Sequence, residues 1–168
     1  HEEFSGKKIR YYDAETGESY IPYVIETSIG VDRMVLQVLS AGYQEEKLEN
    51  GEERTVLSIP APLAPVKAAV LPLVKKDGLP EIAHRIKNTL RYDYNIQYDE
   101  KDSIGKRYRR QDAIGTPLCI TIDHQSAEDG TVTVRDRDTM RQERVHIEAI
   151  PALVESKAGM RALLDKLA

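Results

Sequence analysis

Val66-Lys67-Ala68-Ala69-Val70-Leu71-Pro72-Leu73-Val74 is a nearly continuous apolar run, closed by Lys75-Lys76-Asp77-Gly78 and followed at once by Leu79-Pro80-Glu81. Such a run is what a strand needs when both of its faces are covered. Asp77-Gly78 ends it with a turn, and Pro80 suits the first turn of a helix, where its missing N–H costs nothing. Leu79, Ile82, Ala83, Ile86 and Leu90 then fall on one helical face. Strand, turn and amphipathic helix in this order open an α/β unit.

Tracing forward, Tyr94–Tyr98 alternates as a strand and Ser103 can cap a second helix. Pro117–Asp123 is a further strand, and Asp129-Gly130 marks a hairpin into Thr131–Arg135. Glu143–Ile147 provides a last strand, and Pro151 begins a C-terminal helical region ending in Met160–Leu167. The order β-α-β-α-β-β-β-α predicts an α/β fold: a mixed, mostly parallel sheet flanked by helices, parallel where helices intervene and antiparallel at one end. Tracing backward, Ser58–Pro65 holds three prolines in eight residues and is expected to be an extended, semi-rigid linker. The expected domains are therefore 1–57, a linker at 58–65, and 66–168. Asn50-Gly51 gives a turn signal inside the first of these.

Within residues 1–57, Tyr20–Ile25 is rich in β-formers. Gly30 permits a tight turn, and Met34, Val35, Val38 and Leu39 recur at helical spacing. This predicts a strand turning into a helix, with Asp32-Arg33 at the helix start. A guanidinium there can lie flat on a base or fork onto phosphate oxygens. From pattern alone it can equally be a surface arginine at a buried junction.

Four stretches together, Val24–Arg33, Ala64–Leu73, Ser103–Pro117 and Thr133–Thr139, resemble class II aminoacyl-tRNA synthetases, and specifically the dimeric type of glycyl-tRNA synthetase. The resemblance covers most of the chain, in order. It implies that residues 1–57 are a C-terminal piece of the catalytic domain carrying its third motif, and that residues 66–168 are the anticodon-binding domain. It also implies that Arg33, with Gly30, binds ATP, and that Glu26 and Ser28 line the pocket for glycine. Thr27 departs from the proline usual in that position. The other two class II motifs, including the arginine that clamps the α-phosphate, are absent, and the chain opens His1-Glu2-Glu3 without methionine. The expectation is a C-terminal portion of a longer, cytoplasmic and homodimeric enzyme that uses ATP with Mg2+. This portion alone is expected to bind a glycine tRNA at its anticodon stem-loop but not to charge it. The Tyr20–Glu26 strand would be left without its usual neighbours.

The net charge of −4 is unevenly spread: residues 1–60 carry 12 acidic and 6 basic side chains, the remainder 16 and 18. The second part can therefore present a basic face. On a helix, Lys106, Arg109 and Arg110 share one side, opposite Ile104 and Tyr108 and with Arg107 at the edge, which suits phosphates or simply solvent. Arg135, Arg137, Arg141 and Arg144 alternate with Asp136, Asp138 and Glu143. They are either paired ions, or arginines holding phosphate or guanine while carboxylates accept from cytosine amino groups. On the second reading Asp123, Arg135, Arg137, Asp138 and Arg144 receive bases of a splayed anticodon, whose last two positions are cytosines in the family's tRNAs, while Lys106, Arg109 and Arg110 support the backbone.

Cys119, the single cysteine, excludes an internal disulfide, and its apolar neighbours make it a strand residue. His84, His124 and His146 lack metal-ligand spacing. No apolar run approaches the roughly 18 residues of a membrane span. Two other functions compete: a non-catalytic synthetase-like accessory protein that binds nucleic acid, and a sister synthetase for threonine, proline or histidine. Retention of Glu26, Ser28 and Arg33 together argues against the accessory protein, and the Glu26 and Ser28 pair before Gly30 favours glycine over the sister specificities.

Overall fold

The computed structural model describes residues 1–48 and 51–165. The chain divides into two compact units, His1–Met34 and Val35–Ala168. The division falls within helix α2 (Val31–Gly42).

In the first unit a short helix α1 (Glu2–Ser5) ends at Gly6, whose φ of 64° satisfies a left-handed cap. Strands β1 (Tyr11–Tyr12) and β2 (Ser19–Tyr20) pair antiparallel, and the Tyr11 and Tyr20 rings meet edge-on at 5.8 Å. The strand expected over Tyr20–Ile25 does not form beyond Tyr20: residues 21–30 carry no regular secondary structure and are exposed. With no neighbouring strand to accept their backbone bonds, β-forming side chains alone do not hold this segment extended. The helix expected after Gly30 does form, as α2.

The second unit is built on a five-stranded sheet. Strands β5 (Ala68–Pro72), β6 (Ile96–Tyr98), β7 (Leu118–Ile122), β8 (Thr131–Asp136) and β9 (Gln142–His146) lie in the order β6-β5-β7-β8-β9. β5 pairs parallel with β6 and β7, whereas β7–β8 and β8–β9 are antiparallel. Strands β5 and β7 are buried at every position, as their unbroken apolar runs require.

One sheet face is covered by α3 (Leu79–Leu90) and α6 (Ile150–Ala158). Leu79, Ala83, Ile86 and Leu90 pack with Ile150 and Val154 onto Ala68, Val70, Leu118, Ile120, Ile122, Val132 and Val134. The opposite face is covered by α4 (Ile104–Ala113), whose Ile104 and Tyr108 pack on Ala69, Leu71 and Cys119. Pro80 and Pro151 sit in the first turns of α3 and α6 as expected. A final short helix α7 (Met160–Leu164) follows; the expected end at Leu167 lies outside the described residues.

Three local features differ from expectation. Between β7 and β8 the chain inserts helix α5 (His124–Asp129) in place of a direct hairpin. Asp123 caps it with a reciprocal capping box to Ser126, and Gly130, at φ 69°, terminates it. In the acidic stretch, β3 (Tyr43–Lys47) and β4 (Glu53–Leu57) form an antiparallel hairpin. Gly51, at φ 81°, lies in its turn; Asn50, the other half of the expected turn signal, lies outside the described residues. Finally, the stretch 58–65 is docked: Ile59 and Ala64 are buried, and Ala61–Leu63 forms a 3-10 turn. Lys67 Nζ donates to the Pro62 carbonyl at 2.6 Å.

Candidate nucleic-acid interface

Beside the α4 face of the sheet lies an open cavity of about 710 Å³, walled by Ser103, Lys106 and Arg109 of the α4 region, Arg135 of β8, Met140 and Gln142, and Glu52 and Glu53 of the β3–β4 hairpin. Three cationic side chains and two carboxylates thus share one concave surface. Each wall is held by a different part of the fold.

The β8 wall is fixed by Asp112. This carboxylate is wholly buried and accepts from Arg135 Nη1 and Nη2 at 2.8 and 3.0 Å and from Arg54 Nε at 2.9 Å. Arg109 Nη1 stands 3.8 Å away. Arg135 also lies over the Tyr108 ring, 4.9 Å from its centroid, and the Tyr108 hydroxyl shares a 2.7 Å hydrogen bond with Thr121. Two guanidiniums converge on this one buried carboxylate, which holds Arg135 and Arg54 in fixed positions behind the cavity wall.

The hairpin wall is fixed by Arg54. Its guanidinium is 1% exposed and also donates to Glu46 at 2.8 Å and to the Arg137 carbonyl. Strand alternation then sends Glu53 outward, while Val56 is buried. Glu52 meets Arg109 Nη2 at 3.4 Å across the cavity.

The expected basic stripe on α4 is divided by the structure. Lys106 and Arg109 face the cavity. Arg110 instead binds Asp99 at 2.7 Å and Asp102 at 2.8 Å and lines a neighbouring 450 Å³ depression with Gln97 and Tyr98. Arg107 is not at the edge of the stripe but buried, donating to the carbonyls of Pro72 at 2.6 Å, Asp99 at 3.2 Å and Leu73 at 3.3 Å. It ties the ends of β5 and β6 together.

Of the second arginine group, Arg141 and Arg144 are exposed and the other two are buried. Arg135 and Arg137 are 4% and 2% exposed. Arg137 donates to the Gly115 and Ile59 carbonyls, each at 2.8 Å, and to the Asp138 carboxylate. Asp138 in turn accepts from the Ser58 hydroxyl at 2.7 Å. Burial works to raise the Asp138 carboxyl pKa, but its bonds to Arg137 and Ser58 outweigh this and lower it. Arg137 and Asp138 bind the turn after β8 to the stretch 58–65. They are not a free surface.

Asp123 and Arg144 form a separate pair at the far end of β8 and β9, with bonds of 2.8 and 2.9 Å. The Arg144 guanidinium and the Ser126 cap bring the Asp123 carboxyl down to about 2. In the first unit, Glu26 and Ser28 lie in the exposed segment 21–30, and Arg33 is exposed in the first turn of α2. The Gly30 carbonyl accepts from Met34 N at 3.1 Å, so the glycine turn leads directly into the helix.

His84 stacks on Tyr98 with ring centroids 4.3 Å apart. Among the described residues no group of histidine, cysteine, aspartate and glutamate is placed to hold a metal ion, and no helix is long and apolar enough to cross a membrane. The sequence reading missed Arg54, Asp112 and the two hairpin carboxylates at the cavity. Arg54 and Asp112 are 58 residues apart, and no local pattern joins them.

Residues 67–157, more than half of the chain, match the family described as the anticodon binding domain, and the chain belongs to that family. It is similar to the glycine–tRNA ligase of Geobacillus kaustophilus, 55% identical over 157 residues, which are 94% of this chain and 34% of that protein. It is also similar to the glycine–tRNA ligase of Borrelia hermsii, 49% identical over 159 residues, 94% of this chain and 36% of that protein. The chain thus spans about a third of the length of these curated relatives. Among solved structures, the RNA binding domain of threonyl-tRNA synthetase from Cryptosporidium parvum superposes with a TM-score of 0.54 at 25% identity, over 60% of this chain and 26% of that one. Prolyl-tRNA synthetase from the same organism, with a TM-score of 0.54 at 19% identity over 67% and 32% of the two chains, shows the same fold.

Proposed function

We propose that this chain is the anticodon-reading portion of a glycine–tRNA ligase and that the 710 Å³ cavity is where the anticodon loop docks. The observation that carries the reading is the meeting of Lys106, Arg109 and Arg135 on one concave surface within a segment belonging to the anticodon-binding family. Lys106 and Arg109 neutralise phosphates, while Arg135, locked by Asp112, forms a rigid part of the cavity wall. Arg110, Asp123 and Arg144, each already paired, lie outside this cavity and play a secondary part. Arg137 and Asp138 act by holding the fold.

In the intact ligase, glycine and ATP form glycyl-adenylate with release of pyrophosphate. The glycyl carboxyl then passes to the terminal ribose of the tRNA, with AMP leaving. Glu26 and Ser28 take part in holding glycine, and Gly30 and Arg33 in holding ATP, with the domain boundary in the stretch 58–65. Segment 21–30 is exposed and without regular structure, so these residues need the rest of the catalytic domain around them, including the groups that would bind Mg2+. Homodimerisation, a cytoplasmic location and selection of a glycine tRNA belong to the same reading. Identity of about half to glycine–tRNA ligases, against a quarter to the threonyl domain, supports glycine over the sister specificities.

The test is the affinity of this chain for a glycine anticodon stem-loop across a salt series. Lys106→Ala and Arg109→Ala should each weaken binding and reduce the slope of log affinity against log salt by about 1. Affinity and slope unchanged in both variants would move the site elsewhere.

A further inference from the structure

Residues 43–66 lie between helix α2 and the segment that matches the family, which begins at residue 67. As a free tether, a segment of this length would let the sheet domain wander over about 25–30 Å. It is instead fastened to the sheet by two buried arginines, Arg54 at 1% and Arg137 at 2% exposure.

Each arginine reaches several parts of the fold at once. Arg54 on β4 donates to Asp112 of α4 at 2.9 Å, to Glu46 of β3 at 2.8 Å and to the Arg137 carbonyl after β8. Arg137 donates to the Gly115 carbonyl after α4 and to the Ile59 carbonyl, each at 2.8 Å. Asp138 closes the outer side, accepting from Arg137 Nε at 2.8 Å and from the Ser58 hydroxyl at 2.7 Å. The backbone fits as closely. Ser58 N donates to the carbonyl of Gly42, the last residue of α2, at 2.6 Å. A Cβ on Gly42 would stand 2.7 Å from Ile59 Cγ2, and one on Gly115 would stand 2.9 Å from the Leu57 carbonyl.

Apolar side chains could hold these parts together as firmly, since packed hydrocarbon in place of a buried ion pair is often neutral or stabilising. Apolar packing is non-directional, however, whereas a guanidinium fork shared among several acceptors fixes an angle as well as a distance. Two such forks, each joined to separate parts of the fold, leave the sheet one orientation on the strands that precede it. That orientation matters to a ligand held at two places at once. An RNA bound at the groove while its far end reacts gains from a groove confined to a narrow range of positions.

We propose that Arg54 and Arg137 are positioning residues for tRNA charging: they clasp residues 43–66 to the sheet, so that an RNA bound in the groove is presented at one fixed place on the chain leaving α2. The proposal rests on the reading of this chain as the anticodon-reading portion of a glycine–tRNA ligase. It adds that the junction is rigid and names the side chains that make it so.

Arg137 is the cleaner of the two to test, because Arg54 shares Asp112 with the cavity wall. Arg137→Lys keeps the charge but cannot fork onto two carbonyls. Nitroxide labels at Ser40→Cys on α2 and Asn88→Cys on α3, both exposed positions, in a Cys119→Ala background, report the distance across the clasp by double electron–electron resonance. The chain with Arg137 should give one narrow distribution and Arg137→Lys a broadened one, with far-UV circular dichroism unchanged. In the intact ligase the same variant should lower kcat/KM for tRNA by about tenfold or more, while glycine-dependent exchange of pyrophosphate into ATP and affinity for an anticodon stem-loop stay within about twofold. If Arg137→Lys does not fold, Asp138→Ala, at a half-exposed position, removes the carboxylate shared by Arg137 and Ser58 and should give the same pattern at smaller amplitude. A distribution that stays narrow in both variants overturns the clasp. A broadened distribution with undiminished tRNA charging overturns the positioning role, as does a loss of stem-loop affinity equal to the loss of charging. Absence of stem-loop binding by the unsubstituted chain would instead remove the anticodon reading, and the proposal with it.

Discussion

Replacing Asp112 with alanine removes the one carboxylate on which the α4 face is organised. Its oxygens are wholly buried and take three hydrogen bonds, two from Arg135 and one from Arg54. After substitution Arg54 still has Glu46 and the Arg137 carbonyl, whereas Arg135 keeps only the face of Tyr108. A buried guanidinium stripped of its counter-charge costs about 3–5 kcal/mol, a large part of the 5–15 kcal/mol typical of a folded domain. At roughly 2–4 °C per kcal/mol for a chain of this size, the melting temperature should fall by about 6–20 °C. Urea titration followed by far-UV circular dichroism measures the loss directly, and an unchanged m-value would show that the same surface unfolds. Arg109→Ala is the internal comparison. Arg109 is 34% exposed and 3.8 Å from the same carboxylate, so its removal should cost less than about 1 kcal/mol. If Asp112→Ala stays within about 1 kcal/mol of the unsubstituted chain, or if the two variants lose equal stability, the buried network is not what holds this face.

Other outcomes follow from the same contacts. Asp123 titrates at about 2 in the folded chain against 3.8 when unfolded. The stability contributed by its pair with Arg144 is therefore full above about pH 4 and lost as the pH falls through 2. After discounting for partial exposure, Arg144→Ala should cost about 1 kcal/mol at pH 7 and progressively less toward pH 2 in parallel denaturant titrations. A cost that does not change with pH would assign the loss to the bonds Arg144 donates to the Thr131 hydroxyl at 2.7 Å and the Thr133 hydroxyl at 3.3 Å. Cys119 is buried and its thiol is pushed up to about 12 by that burial, so a thiol reagent at pH 8 should label the chain only after denaturation; rapid native labelling would contradict its place in β7. Gly115 has φ +82°, and a Cβ there would stand 2.9 Å from the Leu57 carbonyl. Gly115→Ala should lower stability by more than about 1 kcal/mol, read as a shift in the urea midpoint at constant slope.

The sheet domain was largely legible because its strands and helices declare themselves through apolar pattern. Val66–Val74 can only be a doubly covered strand, and the apolar spacing from Leu79 to Leu90 has one face to bury. Helix α5 was not read because six residues between two strands look like a hairpin. Its signal was present in Asp123 and Ser126, three apart, which close a capping box. The strand expected over Tyr20–Ile25 failed for the opposite reason: its side chains favour extension, but strand structure needs partners, and only Tyr20 finds one. The β3–β4 hairpin is hard to read because its inward-facing residue at the crucial point is Arg54, a charge in a position where a pattern search looks for an aliphatic side chain.

The candidate site was legible as composition and not as geometry. Arginines at 107, 109, 110, 135, 137 and 144 look alike in sequence, yet three of them are buried and three reach the surface. What separates them is the location of acceptors far along the chain: Asp112 for Arg135, the strand-end carbonyls for Arg107, and the Gly115 and Ile59 carbonyls for Arg137. Burying a charge is tolerated only where such partners converge, and convergence is a property of the fold. The same holds for the cavity, since a hairpin that reads as a plain acidic stretch carries one of its walls.

The most direct test of the account is a map of where RNA touches the chain, obtained from amide chemical-shift changes in isotope-labelled protein titrated with a glycine anticodon stem-loop. The largest changes should fall on Ser103, Gly105, Lys106, Tyr108, Arg109, Arg135, Met140, Gln142, Glu52 and Glu53, which line one cavity. Changes concentrated instead on α3 and α6, across the sheet, would contradict it.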